Sequence, residues 1–585
     1  MNSGRLQDAL ALAQKGVSQF PNQPELLHLL GYLYLQGGVY AQAIEHISSA
    51  LNIRPNEHEA LNNLATAQLK LGQASQALHT STRANQLKPN HYPYLKTQAL
   101  CLLSAEQPEK AIALLDNATC RAQNDVQRLK LLGDAHRQLS ATSETAIDCY
   151  LKAIAAMPNY AAARNNLALI YKAQGQPEKA LSQLLAVDQT RQPNVEVMYN
   201  LGTTYFELGQ AGKAIDVLKQ TVTLAPNYAE AHESLNHLIW QMGQEELFGN
   251  SYRNVFASGK PVTPELVRSF VKACISVKRY DEASTYLSKL PADHHTELLQ
   301  AELNSAKGDY LAAIQSLKKL QVDRPPYSPA AMDLLSVYMR AGDGDAAQVL
   351  LDKLLKQSPN NQYLWAIQSV LWRNAGDQRY HWLCDFDNFV REFTIEPPSS
   401  YATLEQFMAE LDALVSGLHK TQVEPIGQTL QHGSQLPGRF FSRPEPVIQT
   451  LKMQIEQAIE RYLAGLPADQ SHPFLARNSG KVQFSGSWSI KLNDAGFHIS
   501  HVHPEGWISA SFYVTVPSDL KDGAGDICFG RSPFLFSGAD TVEKQVRPCS
   551  GLLVLFPSYI WHETIPFSAS ADDYRLTTPF DVVPG

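Results

Sequence analysis

The sequence predicts a multidomain protein, an all-α superhelix of stacked helical pairs followed by a jelly-roll β domain with supporting helices. Three observations carry that reading. Small residues recur 34 positions apart through the N-terminal part of the chain. Beyond residue 480 the apolar pattern switches to a period of two. Three histidines crowd the stretch "GFHISHVHPEGWIS", residues 496–509, and a further histidine ends a later apolar run.

The repeat comes first. Ala9, Ala43, Ala77 and Ala111 stand 34 residues apart, as do Ala50, Ala84 and Ala118, and Pro21, Pro55 and Pro89. After a one-residue slip the series runs on through Ala146, Ala180 and Ala214, with Pro158 and Pro226 two periods apart. Between them lie Leu30-Gly31 with Tyr34, Leu64-Ala65, Leu167-Ala168 with Tyr171, and Leu201-Gly202 with Tyr205. Small residues let two antiparallel helices approach closely, larger ones fill the gaps, and proline stops the second helix before the next pair begins. This pattern resembles the tetratricopeptide family. The resemblance implies a concave groove that binds a peptide or protein; the alternative is a scaffold that holds or dimerises the C-terminal domain.

The register weakens after "YAEAHESLNHLIWQMG", yet "RYDEASTYLSKL", "GDYLAAIQSLKKL" and "GDAAQVLLDKLLKQSP" keep a helical period to about residue 375. The expected organisation is therefore tetratricopeptide repeats over 1–240 and degenerate helical repeats over 241–375. A helical and loop segment over 376–480 would support a jelly-roll core over 481–585. Residues 5–20 read as the second helix of a pair alone, so the chain opens on an uncapped half-repeat or on a truncated gene model.

Composition narrows the function classes. The 585 residues carry a net charge of −8, are 44% hydrophobic and 18% charged, and have a pI near 6.1, which gives no electrostatic reason to expect nucleic acid as a partner. No run approaches the roughly 18 apolar residues of a membrane helix, and "MNSGRLQDAL" lacks the regions of a signal peptide. Seven cysteines with no CxxC argue against a disulfide framework. The expected location is cytoplasmic, away from the membrane.

After residue 375 the alanine rhythm ends. Two helical stretches follow, "TLEQFMAELDALVSGLHK" and "PEPVIQTLKMQIEQAIERYLAG", separated by the turn-rich "PIGQTLQHGSQLPGRFF". Then come short strands, "KVQFSGSWSIKLN", "WISASFYVTV", "GDICFG" and "GLLVLF", spaced by turn residues as in a sandwich or barrel. On a strand, His501 and His503 share a face and His498 points away unless the strand bulges. Pro504 cannot continue a paired strand, so the cluster sits at a strand end. The apolar "GLLVLFPSYIWHETIPF" places His562 at its tip, and Arg575 follows in "RLTTPFDVV". Two histidines and a carboxylate on one face form a typical non-haem iron site, and a guanidinium can clamp a carboxylate bidentately. Trp488, Trp507 and Trp561 read as core, and Cys528 and Cys549 as buried hydrophobes.

Together these residues resemble the Fe(II)/2-oxoglutarate-dependent oxygenases, in particular bacterial proteins that fuse tetratricopeptide repeats to such a domain, whose fold is a double-stranded β-helix. The resemblance covers residues 380–585 and implies Fe(II) and 2-oxoglutarate as cofactors. It implies His501 as the first iron ligand, His562 as the distal one, Arg575 as the anchor of the far carboxylate of 2-oxoglutarate, and Ser509 and Tyr513 as cosubstrate contacts. The departure is at position 503, where histidine stands in place of the usual Asp. Two ligand sets stay open: His501, His503 and His562, or His503 and Glu505 with His562. The implied activity is hydroxylation, with a peptide or protein side chain as the expected substrate. A non-catalytic adaptor, a cupin-like three-histidine enzyme, or an oxygenase of a small metabolite or glycan are the alternatives.

Overall fold

A computed structural model describes residues 3–116, 126–141, 143–187, 193–321, 328–436, 439–534, 536, 541–570 and 573–585. Ala118, one of the periodic alanines, lies outside the described residues. The chain divides into two compact units, Met1–Gln174 with Glu178–Val197, and Gly175–Pro177 with Met198–Gly585.

The first unit consists of helical pairs such as Pro24–Gln36 with Tyr40–Ile53 and His58–Lys70 with Ala74–Leu87. The periodic alanines explain the pairing. Ala43, Ala77, Ala111, Ala146, Ala180 and Ala214, from both units, are all completely buried. Each is a point where a larger side chain would push two backbones apart. The helix Tyr40–Ile53 ends ahead of Pro55, and Ala74–Leu87 ends ahead of Pro89, because a ring without an N–H cannot extend the ladder. Gly31 marks the closest approach: a Cβ there would lie 2.5 Å from Ile47 Cγ1 and 3.1 Å from the Ala43 carbonyl oxygen.

The second unit opens with helices of the same kind, from Ala211–Leu224 with Ala229–Gln241 to Gly344–Gln357 with Gln362–Asn374. It then turns into a β domain flanked by the helices Leu404–Leu418 and Pro446–Ala464. Its strands are β1 (Arg391–Thr394), β2 (Leu430–Leu436), β3 (Val482–Ser487), β4 (Ser489–His498), β5 (Ile508–Thr515), β6 (Ile527–Phe529), β7 (Lys544–Val546), β8 (Leu552–Pro557), β9 (His562–Thr564), β10 (Arg575–Thr577) and β11 (Phe580–Pro584). The larger sheet runs β1-β8-β5-β10-β4-β2, with β11 joining β5 to β3; the smaller runs β7-β6-β9. All these pairings are antiparallel.

Two strands come from the segment that the sequence presents as helix and loop. Strand β1 seals the β8 edge and β2 extends β4. Gly433 and the positive φ of His432 (55°) hide β2 behind turn chemistry. Opposite them, residues 493–496 of β4 bulge, so that Leu430 pairs with His498 while Gly433 pairs with Leu492. A bulge turns the strand that carries it, and here it turns the end of β4.

The helix contacts of the second unit hold this domain in place. Trp561 Nε1 donates to the Ala366 carbonyl at 3.0 Å, and the Tyr559 hydroxyl donates to the Leu383 carbonyl at 2.6 Å. Among the described residues no helix is long and apolar enough to cross a membrane.

Gly31→Ala tests the close-approach account. Alanine has the higher intrinsic helix propensity by about 1 kcal/mol, but overpacking costs about 1–3 kcal/mol. Urea or thermal unfolding is therefore expected to show net destabilisation.

Candidate metal centre

The histidines are assembled by main-chain bonds. His501 N–H donates to His562 C=O at 3.0 Å, and His562 N–H donates back to His501 C=O at 3.1 Å, an antiparallel bridge beyond the named strands. His503 N–H donates to the Ser558 carbonyl at 3.0 Å. The connection after His503 passes so close to Ser558 that a Cβ at Gly506 would lie 2.4 Å from its Oγ. A side chain there would have to displace the Ser558 hydroxyl.

In consequence one nitrogen from each of His501, His503 and His562 lies within 4.8 Å of the others. The other ring nitrogen is occupied in every case. Nδ1 of His501 lies 2.8 Å from the Ile499 carbonyl and Nδ1 of His562 lies 3.0 Å from the Ile560 carbonyl. Nδ1 of His503 lies 2.7 and 2.9 Å from the two oxygens of Asp581. Carbonyls and carboxylates only accept, so each Nδ1 carries a proton and each Nε2 is the nitrogen left to face a metal. Burial, and then the charge of neighbouring His503, push His501 down to about 3. Burial, with His501 and His503 next, holds His562 well below the ordinary imidazole range. Both rings are neutral at pH 7.

These histidines line a cavity of about 350 Å³ that also includes His498, Ser511, Thr564 and Arg575, within the range of roughly 300–1,000 Å³ typical of small-molecule sites. Arg575 is 2% exposed. One of its terminal nitrogens donates to the Gly525 carbonyl at 2.8 Å and the other to Thr564 Oγ1 at 3.3 Å, while Nε has no partner. The rings of Tyr513 and Phe567 lie against it at 5.9 and 5.7 Å. No acidic side chain pairs with it among the described residues. A buried cation without a counter-ion is costly, so this guanidinium is suited to an anion brought in by a ligand. Burial pulls it below the usual arginine range. The hydroxyl of Tyr513 is buried behind Ser511, outside the lining of the cavity.

Other sequence candidates are placed differently. Glu505 is exposed on the cavity wall and outside the three-histidine group. Ser509 is completely buried and committed to protein partners: it donates to Asp581 Oδ1 at 2.6 Å and accepts from Ser558 at 2.8 Å. Ser511, next on the same strand face, lines the cavity in its stead. His498 does not point away. The bulge in β4 swings it into the cavity, where its ring stacks 5.7 Å from His501. Trp488, expected as core, is half-buried and stacks 5.7 Å from His503. Cys528 is buried and its thiol is pushed up to about 11, but Cys549 is exposed. Asp581, Ser511 and Thr564 escaped the reading of the sequence. For Asp581 the available signal was a single acid inside the apolar strand "FDVV".

Comparison with known proteins finds similar families for both parts of the chain. Residues 486–581 match the family described as "Putative 2OG-Fe(II) oxygenase". Residues 149–182, 195–228 and 305–371 match tetratricopeptide repeats, and residues 2–84 match the anaphase-promoting complex, cyclosome, subunit 3 family. The chain carries tetratricopeptide repeats followed by a C-terminal segment that matches the putative 2OG-Fe(II) oxygenase family. Over 195 residues this tetratricopeptide protein is 26% identical to cellulose synthase operon protein C of Xanthomonas axonopodis pv. citri, spanning 31% of this chain and 12% of that protein. Over 230 residues it is 24% identical to anaphase-promoting complex subunit 3 of Schizosaccharomyces pombe, spanning 38% of this chain and 33% of the relative. Among solved structures, yeast Tom70 is similar with 15% identity and a TM-score of 0.35, covering 60% of this chain and 88% of that one.

The histidine environment sets a pH dependence. Between the ordinary value of 6.5 and the folded value of about 3, the unfolded chain binds a proton that folded His501 refuses. Stability of the metal-free protein therefore rises with pH through that window and is lost as pH falls. Thermal midpoints are expected to drop between pH 7 and pH 4, with a shallower slope in His501→Phe.

Proposed function

We propose that the C-terminal domain is an Fe(II)- and 2-oxoglutarate-dependent oxygenase of jelly-roll type. His501, His503 and His562 hold the metal, and Arg575 takes the far carboxylate of the cosubstrate. One observation carries the reading: a single cavity joins three converging imidazoles to a buried guanidinium that has no acidic partner among the described residues. A cupin-like enzyme without a cosubstrate would leave that guanidinium without use.

When bound, iron and 2-oxoglutarate supply oxygen activation coupled to cosubstrate decarboxylation, with hydroxylation of a C–H bond as the outcome. The chain supplies position and environment. The main-chain bridge between His501 and His562 fixes two ligands on one frame. Arg575, pinned by Gly525 and Thr564 and packed by two aromatic rings, presents its charge in a fixed direction. Ile527 and Phe556 on the cavity wall exclude water.

The substrate of this proposal is a peptide or protein side chain recruited by the tetratricopeptide repeats. Support comes from the repeats themselves and from a hollow of about 370 Å³ in the first unit, lined by His28, Leu29, Tyr32 and the acids Glu25, Glu57 and Glu59. Leu29 and Tyr32 are 47% and 37% exposed there, apolar surface that a bound segment would cover. A cytoplasmic location belongs to the same reading, supported by the free state of all six cysteines among the described residues.

Anaerobic titration of Fe(II) and 2-oxoglutarate is expected to produce the visible metal-to-ligand charge-transfer band, which His562→Ala abolishes. Arg575→Met is expected to weaken 2-oxoglutarate binding about 10–100-fold, the value of a charged hydrogen-bonded contact, while metal binding persists. An iron-loaded protein without the band would overturn the oxygenase reading and favour a non-catalytic adaptor.

A further inference from the structure

The three histidines are not equivalent. His501 and His562 each give their Nδ1 proton to a main-chain carbonyl two residues back, whereas His503 gives its proton to the carboxylate of Asp581. Asp581 is 8% exposed and sits on β11 directly across from Ser509 of β5. Ser509 donates to it at 2.6 Å, and Ser558 backs Ser509 at 2.8 Å. Ser558 is also the residue whose carbonyl receives the His503 N–H. His503 is thus held by its main chain, by its Nδ1 proton and by the stacked Trp488 ring.

We propose that Asp581 is the positioning residue of the metal centre, supplying through the His503 ring the negative charge that a carboxylate ligand would place directly on the ion. The inference rests on the three-histidine reading above. Its physics is twofold. A carboxylate accepting the Nδ1 proton fixes the ring and makes Nε2 a stronger donor. Its charge also offsets part of the divalent ion's charge in a site otherwise built from neutral ligands. Replacement of the ligand carboxylate by His503 and the presence of a buried acid behind that same ring are then one arrangement, with the charge moved outward by the length of an imidazole. Pairing of β5 with β11 makes the position rigid, because the acid and its serine stand in register across a sheet.

Co(II) titration of the full chain tests this without oxygen, cosubstrate or substrate, reading both affinity and the ligand-field spectrum. Asp581→Asn keeps the shape and removes the charge. It is expected to weaken Co(II) binding about 10–100-fold and to shift the visible bands. Ser509→Ala, which removes one bond to the carboxylate, is expected to move both readouts the same way by a smaller amount. In His503→Ala the further change Asp581→Asn is expected to cost little, since the two act as a unit; additive losses would mark Asp581 as merely structural and overturn the proposal. Wild-type affinity and spectrum in Asp581→Asn would overturn it too. Should that variant fail to fold, unchanged binding in Ser509→Ala decides against it. Failure of the wild type itself to bind Co(II) removes the metal centre and, with it, this inference, an outcome distinct from a variant that binds normally.

Discussion

The β domain depends on two peptide hydrogen bonds, His501 to His562 and back. They join the end of β4 to the start of β9 and set the spacing of two imidazoles by backbone geometry, the most reproducible ruler a protein has. The third ring follows because His503 is two residues on and is tied by its own N–H to Ser558, in the turn that leads to His562. Strand β8 brings that turn into place, being paired on one side with β5 and on the other with β1.

Electrostatics gives the cavity its character. Burial keeps His501, His562 and His498 neutral, and carbonyl acceptors at Nδ1 leave the Nε2 lone pairs of His501 and His562 free. The same burial holds an arginine whose charge no acid among the described residues balances. Neutral donors for a cation and a cation for an anion occupy one space, an arrangement that lowers the stability of the empty protein and favours a ligand of complementary parts. The helical part serves the same end more remotely. Arg373, on the helix Gln362–Asn374, donates to the carbonyls of Gly530 and Thr541 and pairs with Glu543, which ties these three residues to that helix.

The sequence was most legible where interactions are local or periodic. A 34-residue rhythm of alanines translates directly into helix pairs, because each helix meets its neighbour in sequence and the contact demands a small residue. The histidine pair with its distal partner was legible as well, since alternation along a strand and an apolar run ending in His562 both predict side-chain direction. Legibility failed where the outcome depends on residues distant in the chain. Nothing local shows that four residues of β4 bulge opposite β2 and turn His498 inward. Nor does anything local show that Ser509 is claimed by Asp581 from another strand, leaving Ser511 to the cavity.

The sequence by itself determined the succession of helical pairs, the strands beyond residue 480, a short set of candidate ligands (His501, His503, Glu505 and His562) and the presence of a basic residue beyond them. Its means were spacing and residue size, which act within a few turns of chain. The tertiary structure alone decided which acid stands behind His503, that Glu505 stays outside the histidine group, and that Arg575 is buried without an acidic partner among the described residues. Those are matters of sheet register and desolvation, and both arise only when strands remote in sequence are brought together.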